Sequence, residues 1–507
     1  MKVYLVIMVL FGMGFAIVRY AATPEVRRHF GPGLAIAFGL VTFTGLVTAN
    51  PFVYFSSCFV AVFIGVRSRL DAACRFMLMS ALTPYVFRHV SAFGAYLLDL
   101  GPMHMYQLAL AAFCLVRPRK GAALDRRPTS EDAAITIFTL IFMFAVVRNY
   151  TILGLPRQIL GPFLQFALPY MLFTRIVRDR KDVRVILGVL IGVATILGVF
   201  AIYEARFGWS LFDNIWRNFG EGSFMSRNMR IRSGFLRTPT TFLESTSYAV
   251  FAMTCLIVAL YARRLFRTTG RWMACCGVIA LSLVACQSRG SLLGFAAGMF
   301  VALIFSRSFG KAIALAAAAG SLVFGLLTLA QTSARASSFV GADAAYVGQD
   351  YRQQLLWTGI EQGIKHFWIG EDLATVESQM SSLIQGEHII DLVNSYLNIF
   401  LVGGIIGLLG FLVPILLTFV KLWQRRDLRR DADGRMFQAC LAGAIAGILT
   451  ALIFTSLQER NPFWLIMMLA SAKIVLRPAR VAKPAGEIPE ERAGKSRRPS
   501  RVAQAFA

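Results

Sequence analysis

Charge is scarce in this chain: Asp, Glu, Lys and Arg make up only 16% of its 507 residues, against 57% hydrophobic. A water-soluble protein of this length could not cover itself with so little polar surface, which excludes a soluble globular fold. Histidine is scarcer still. The five, His29, His89, His104, His366 and His388, are scattered without ligand spacing, which argues against a resident metal. Eight cysteines lie within apolar runs or at the edge of one, and none falls in the long polar connections, so neither a disulfide framework nor a zinc site is expected. Internally repeated halves, the usual mark of a secondary transporter, are missing. No small-residue cleavage site precedes Arg19, and the first apolar run reads as a retained helix.

Long apolar runs fill the space that charge leaves. They recur from about residue 3 to about residue 476, most of them long enough, or nearly so, to cross a hydrocarbon core of roughly 30 Å. Backbone groups in lipid must be satisfied internally, so the runs are expected to be helices, about 12 to 15 transmembrane helices in an all-α polytopic membrane protein. One of these runs covers 77–97 and is interrupted by Arg88-His89, a polar pair expected to face the bundle interior. Lys and Arg collect in the connections at 117–127, 175–184, 263–271 and 421–435, which assigns those to the cytoplasmic side. The excess of 52 basic over 27 acidic residues, a formal +25, is therefore mostly topology, with anionic lipids as neighbours and no nucleic-acid partner.

Alternating the runs leaves two long connections on the outer side. The organisation read from the chain is N-terminal helices over 1–203, a basic outer loop over 204–241, helices over 242–330, a large outer loop over 331–395, C-terminal helices over 396–476 and a basic, disordered cytoplasmic tail over 477–507. The first loop carries six arginines (Arg206, Arg217, Arg227, Arg230, Arg232, Arg237) against three acidic residues, a net +3. The second carries three basic residues against eight acidic ones, a net −5. Mutual pairing or solvation of the loops is the plain reading. Arginine on the outer side nevertheless opposes the bias that sets topology, and the guanidinium fork suits bidentate phosphate recognition, so the cluster points to an anionic ligand. Within the second loop Tyr351–Phe367 has Leu355, Leu356, Ile360 and Ile364 at helical spacing, which predicts an amphipathic helix at the membrane surface or over a cavity.

Four short segments occur in order around the large loop. They are Arg232-Ser-Gly-Phe-Leu-Arg237-Thr-Pro239, then Gln287-Ser288-Arg289-Gly290-Ser-Leu-Leu-Gly294, then Arg352 with Trp357 and Ile369-Gly370, then Asn394-Ser-Tyr396-Leu followed by Gly403-Gly404-Ile-Ile-Gly407. In this order the chain resembles, over roughly residues 200 to 420, the bacterial O-antigen ligase and O-antigen (exopolysaccharide) polymerase family. The resemblance implies a GT-C-like membrane glycosyltransferase of the inner membrane with one large periplasmic loop and a cytoplasmic C-terminus. It implies a glycan donor linked to undecaprenyl pyrophosphate, an acceptor that is either another lipid-linked glycan or lipid A core, and polysaccharide-assembly proteins as further partners. No metal or other cofactor is implied.

Arg232, Arg237, Arg289, Arg352, Asn394 and Tyr396 are the residues expected to bind pyrophosphate or glycan. Family ligases carry a His just before the Asn of the closing motif, where this chain has Val393. The base that takes the acceptor proton is then sought among His388, Asp391 and Glu387. Glu244 is expected to pair with one of the arginines. The missing His favours polymerisation over ligation. A polytopic transporter or flippase and a scaffold subunit of an envelope complex are the competing classes.

Overall fold

The computed structural model describes residues 2–92, 95–116, 128–148, 154–220, 231–232, 235–318, 321, 342–380, 394–457 and 460–477. The principal helices are α1 (Lys2–Ala21), α2 (Pro32–Val47), α3 (Pro51–Ala61), α4 (Arg69–Leu82), α5 (Pro102–Val116), α6 (Ser130–Val147), α7 (Leu155–Ile176), α8 (Arg180–Phe207), α9 (Ser245–Tyr261), α10 (Thr269–Ala285), α11 (Arg289–Phe305), α12 (Ala342–Lys365), α13 (Leu373–Gln379), α14 (Ser395–Gln424), α15 (Ala432–Ala451) and α16 (Asn461–Leu476). Two antiparallel hairpins interrupt them, β1 (Arg88–Ala92) with β2 (Ala95–Leu100), and β3 (Ile231–Arg232) with β4 (Phe235–Leu236). The architecture is that of a helical membrane protein. Among the described residues six helices, α1, α6, α7, α8, α14 and α15, are long and apolar enough to cross a bilayer, and others such as α2, α9, α11 and α16 are apolar but shorter.

The crossing expected over 77–97 does not form. Thr83 is extended (φ −89°, ψ 133°), as the residue before Pro84 prefers, so α4 ends at Leu82 and the chain enters the β1–β2 hairpin. Arg88 and His89 sit on β1 as a result, outside any helix.

Helix α8 is the axis of the bundle. Its 28 residues rise about 42 Å at 1.5 Å each, and its side chains are almost continuously buried from Val185 to Ala201. It begins among basic residues: Arg180 pairs with Asp427 at 3.0 Å, and Arg184 with Asp433 at 3.1 Å and Glu25 at 3.2 Å. Arg264 reaches Asp433 at 3.1 Å, Arg271 donates to the Tyr20 carbonyl, and Lys421 pairs with Glu131 at 2.7 Å. The arginine- and lysine-rich connections at 175–184, 263–271 and 421–435 thus gather at one end of the helices, and the fourth, 117–127, lies outside the described residues. The segments singled out in the sequence belong to the other end, at the C-termini of α8, α10 and α15 and the N-termini of α9, α11 and α14.

Small residues bring two of those helices into backbone contact. On α11, Gly294 and Gly298 face Gly447 and Gly443 of α15, so a Cβ on Gly294 would lie 2.7 Å from the Gly447 carbonyl oxygen, and one on Gly298 would lie 2.6 Å from that of Gly443. Helices without a hydrophobic drive between them associate through this small-xxx-small packing. Helix α14 is broken inside its apolar stretch: Gly404 has φ 61° and ψ −163°. The freed backbone groups are taken by the large loop, where Ile405 N–H donates to the Phe367 carbonyl at 2.8 Å and Glu371 N–H to the Leu401 carbonyl at 2.7 Å. Arg148, just beyond α6, clamps the break by donating to the carbonyls of Gly370 (3.0 Å) and Val402 (2.7 Å). Irregular backbone at membrane depth is tolerated where protein covers it in this way.

Candidate functional site

Arg237 follows β4 on a stretch held from several sides. Glu204, at the last turn of α8 and fully buried, accepts the Leu211 N–H and the Thr240 N–H, both at 3.0 Å. Thr241 donates its hydroxyl to the Ala81 carbonyl at 2.5 Å and accepts the Tyr85 N–H at 3.0 Å. The Arg237 guanidinium extends from this fixed strand, and its Nε donates to the Cys286 carbonyl at 3.4 Å.

Cys286 leads into the Ser-Arg-Gly turn. Gln287 adopts φ 51°, a left-handed conformation that stops α10 and redirects the chain, and Ser288 opens α11 with its hydroxyl 3.0 Å from that of Ser291. Arg289 is the first residue of α11, at the positive end of a helix of 17 residues. Gly290 is small for a reason the structure supplies: a Cβ there would lie 2.6 Å from Cβ of Phe454, on the turn after α15. That turn is in turn tied to Ser395, whose N–H donates to the Leu452 carbonyl and whose hydroxyl donates to the Thr455 carbonyl at 2.6 Å.

Arg352 arrives on α12, the helix anticipated from the spacing of Leu355 to Ile364. Leu355 is buried with Leu397 and Leu401 of α14 and with Val376 and Met380 near α13. Gly359 and Gly363 let α12 settle directly on Leu397 and Phe400. Leu355, Gly359 and Gly363 therefore seat α12 on the first half of the broken helix, while Leu356, Ile364 and the Arg352 side chain are exposed.

Arg237, Arg289 and Arg352 meet around one cavity of about 430 Å³, completed by Thr246, Gln287, Ser288, Gly290, Leu293 and Phe454. Three segments far apart in sequence each contribute one guanidinium. Three guanidiniums and no carboxylate are found among the described lining residues, beside the N-terminus of α11. Such a field stabilises a compact multiply charged anion, and does so more strongly where low-dielectric walls exclude water. Thr246 donates to Glu244 at 3.0 Å, which places that carboxylate next to the cavity wall.

The other expected site residues are distributed differently. Asn394 caps α14, its Oδ1 accepting the N–H groups of Tyr396 (3.0 Å) and Leu397 (3.2 Å). The Tyr396 hydroxyl donates to the Leu449 carbonyl at 2.8 Å. The first bonds cap α14 itself and the second ties it to α15, and neither residue is among those lining the arginine cavity. Arg232 lies in β3, opposite Phe235. Glu387, His388 and Asp391 lie outside the described residues. Sequence reasoning missed Glu204 as a buried clamp, having counted it as a surface acid, and missed Arg148 and Phe454. The only signal available for Glu204 was its place at the end of a strongly apolar run.

No protein-family model matches the chain, and no curated protein matches its sequence.

Proposed function

We propose that this protein is a metal-independent membrane glycosyltransferase that polymerises lipid-linked glycan repeats at the periplasmic face of the bacterial inner membrane. The reading is carried by one observation: Arg237, Arg289 and Arg352, picked out on separate motifs, line one cavity. In the reaction the acceptor hydroxyl oxygen forms a bond to the anomeric carbon of the donor glycan, while the bond from that carbon to undecaprenyl pyrophosphate breaks. The diphosphate takes the bonding electrons, and the three guanidiniums with the α11 N-terminus offset the charge that grows on it. The hydroxyl proton passes to a base, for which Glu387, His388 and Asp391 are the candidates.

Arg148, Gly370 and Gly404 would act by positioning. They seat the large loop on α14, and the loop in turn holds Arg352 over the cavity. Ligation to lipid A core uses the same donor chemistry and differs only in the acceptor.

The test is incubation of the purified protein in vesicles with a synthetic undecaprenyl-pyrophosphate-linked repeat. A ladder of products is expected. A single transfer onto lipid A core would replace polymerase by ligase, and no transfer to either acceptor would end the proposal.

A further inference from the structure

A second cavity, of about 300 Å³, opens at the same end of the helices, between the β1–β2 hairpin, α5 and α7. Its chemistry is unlike that of the arginine cavity. The two charged residues among its described lining, Asp99 and Arg157, pair at 3.1 Å, and Asp99 also bonds His89 at 2.5 Å. The rest of its polar lining is neutral: the amides of Gln107, Gln158 and Gln165 and the imidazole of His104. Aromatic faces come from Tyr85 and Phe87, which follow Pro84 on the approach to β1.

Helix α7 is built to open this space. It widens into a π-helical turn over Phe163–Ala167, between Pro162 and Pro169, a local distortion frequently found at functional sites. The Leu164 carbonyl within that turn accepts Nε2–H of Gln107 at 3.0 Å. This fixes the amide and leaves Oε1 of Gln107 buried without a hydrogen-bond partner, on a side chain that is only 1% exposed. A buried acceptor in that state is costly unless a donor from an ordered water or a ligand reaches it. His104 offers the complement: its Nδ1 accepts the Gly101 N–H at 3.1 Å, so a neutral ring carries its proton on Nε2.

We infer that this cavity is a saccharide-binding site that holds the acceptor glycan through its uncharged hydroxyl groups. Paired amide donors and acceptors match sugar hydroxyls, aromatic rings match the apolar faces of a pyranose, and Arg157, the lining cation, is already paired with Asp99, which gives no reason to prefer an anion. The two cavities are connected through one backbone hydrogen bond. Tyr85 lines the second, and its N–H is bonded to Thr241, four residues from Arg237 in the first. Arg460, buried over the rings of Phe242 (4.9 Å) and Tyr85 (5.7 Å) and donating to the carbonyls of Ala81 and Thr83, stiffens that seam. Assignment of the saccharide as acceptor rests on the proposed glycosyl transfer, whereas saccharide binding itself does not.

The test is saturation-transfer NMR on the full chain in nanodiscs. The probe is the carrier-free oligosaccharide released by mild acid from the producing cell's own lipid-linked glycans. Saturation of sugar ring protons by the wild-type protein is expected, with binding weakened at least about tenfold in Q107L and in the doubly substituted Q158A/Q165A. Gln158 and Gln165 are only half-buried, so the second variant keeps the test open should Q107L fail to fold. No saturation with the wild-type protein, or unchanged binding by the folded double variant, overturns the inference. Sugar binding without any transfer from the lipid-linked donor overturns the glycosyltransferase reading and leaves the saccharide site standing.

Discussion

Gly370 of the large loop and Gly404 of α14 are packed backbone against backbone, each in the left-handed half of conformational space with φ 69° and 61°. A Cβ on Gly370 would lie 2.5 Å from the Leu401 carbonyl oxygen, and one on Gly404 would run into the backbone of Trp368 and Ile369. The hydrogen bonds from Ile405 to Phe367 and from Glu371 to Leu401 flank this contact. The break in a membrane helix and the seating of the loop that carries Arg352 are therefore one structural event.

Replacing Gly404 by Ala combines a positive φ with a backbone collision, and strain of this kind costs about 1–3 kcal/mol. G404A is expected to lower the thermal unfolding midpoint of the purified protein and to reduce glycan transfer through Arg352. A variant with wild-type melting and wild-type transfer would show that the seam is dispensable.

Charge removal at the cavity should act on chemistry and leave folding intact. Arg352 is exposed, so R352A is expected to insert and melt normally while losing transfer by about 10²–10³-fold, the usual cost of removing one donor to a developing anion. R289K keeps the charge and gives up the bidentate fork, and should lose less than R289A. Turnover of the lipid-linked repeat by R352A and R289A at wild-type rates would separate the cavity from catalysis.

Glu204 tests whether Arg237 depends on its distant support. E204A strands the Leu211 and Thr240 N–H groups in a buried site, at a cost of about 1–3 kcal/mol each. Loss of both stability and transfer is expected, with E204Q, which retains one carbonyl acceptor, in between. Comparing melting curves with turnover would expose the error if E204A were neutral in both.

The α11–α15 contact predicts a packing defect. G294V places a branched side chain where even a Cβ would be 2.7 Å from the Gly447 carbonyl oxygen, so it should cost about 1–3 kcal/mol by overpacking. Partial restoration by shortening Met253, whose sulfur also abuts Gly294, would support the geometry. The measurement is the detergent-solubilised midpoint of unfolding for the single and double variants.

At the opposite end Asp427 should register acid. The Arg425 guanidinium, with Nε at 2.7 Å and Nη2 at 2.9 Å, holds its carboxyl well below the usual carboxylate range, helped by Arg180. A depressed folded pKa means stability that is present above the unfolded value, about 3.9, and lost as pH falls through the folded one. D427N is therefore expected to be less stable than the wild type at neutral pH, with the difference closing as pH drops below about 4. A difference that stays constant across acid titration of the melting midpoint would contradict this.

Much of the fold was legible because lipid imposes a simple rule on the chain. Long apolar runs such as 185–203 and 396–420 must be helices, and α8 and α14 are. The rule fails locally where hydropathy averages over a stop: 77–97 reads as one run, yet Thr83, extended ahead of Pro84, ends α4 and the chain enters a hairpin. The spacing of Leu355, Ile360 and Ile364 announced α12, though not that it would rest on α14 through Gly359 and Gly363. For Asn394 and Tyr396, residue type suggested glycan contacts, whereas the hydrogen bonds they make are a helix cap and a tie to Leu449.

By itself, then, the sequence determined the helical membrane class, the gathering of the basic connections at one end, and the residue types that an anionic ligand would require. Those follow from composition and period, which act locally along the chain. Only the tertiary structure decided that Arg237, Arg289 and Arg352 share one cavity, that Glu204 is an internal clamp, and that the amides of Gln107, Gln158 and Gln165 line another. Each of these depends on close approach between segments separated by tens to hundreds of residues, and it is backbone contact at glycines and buried hydrogen bonds that set those distances.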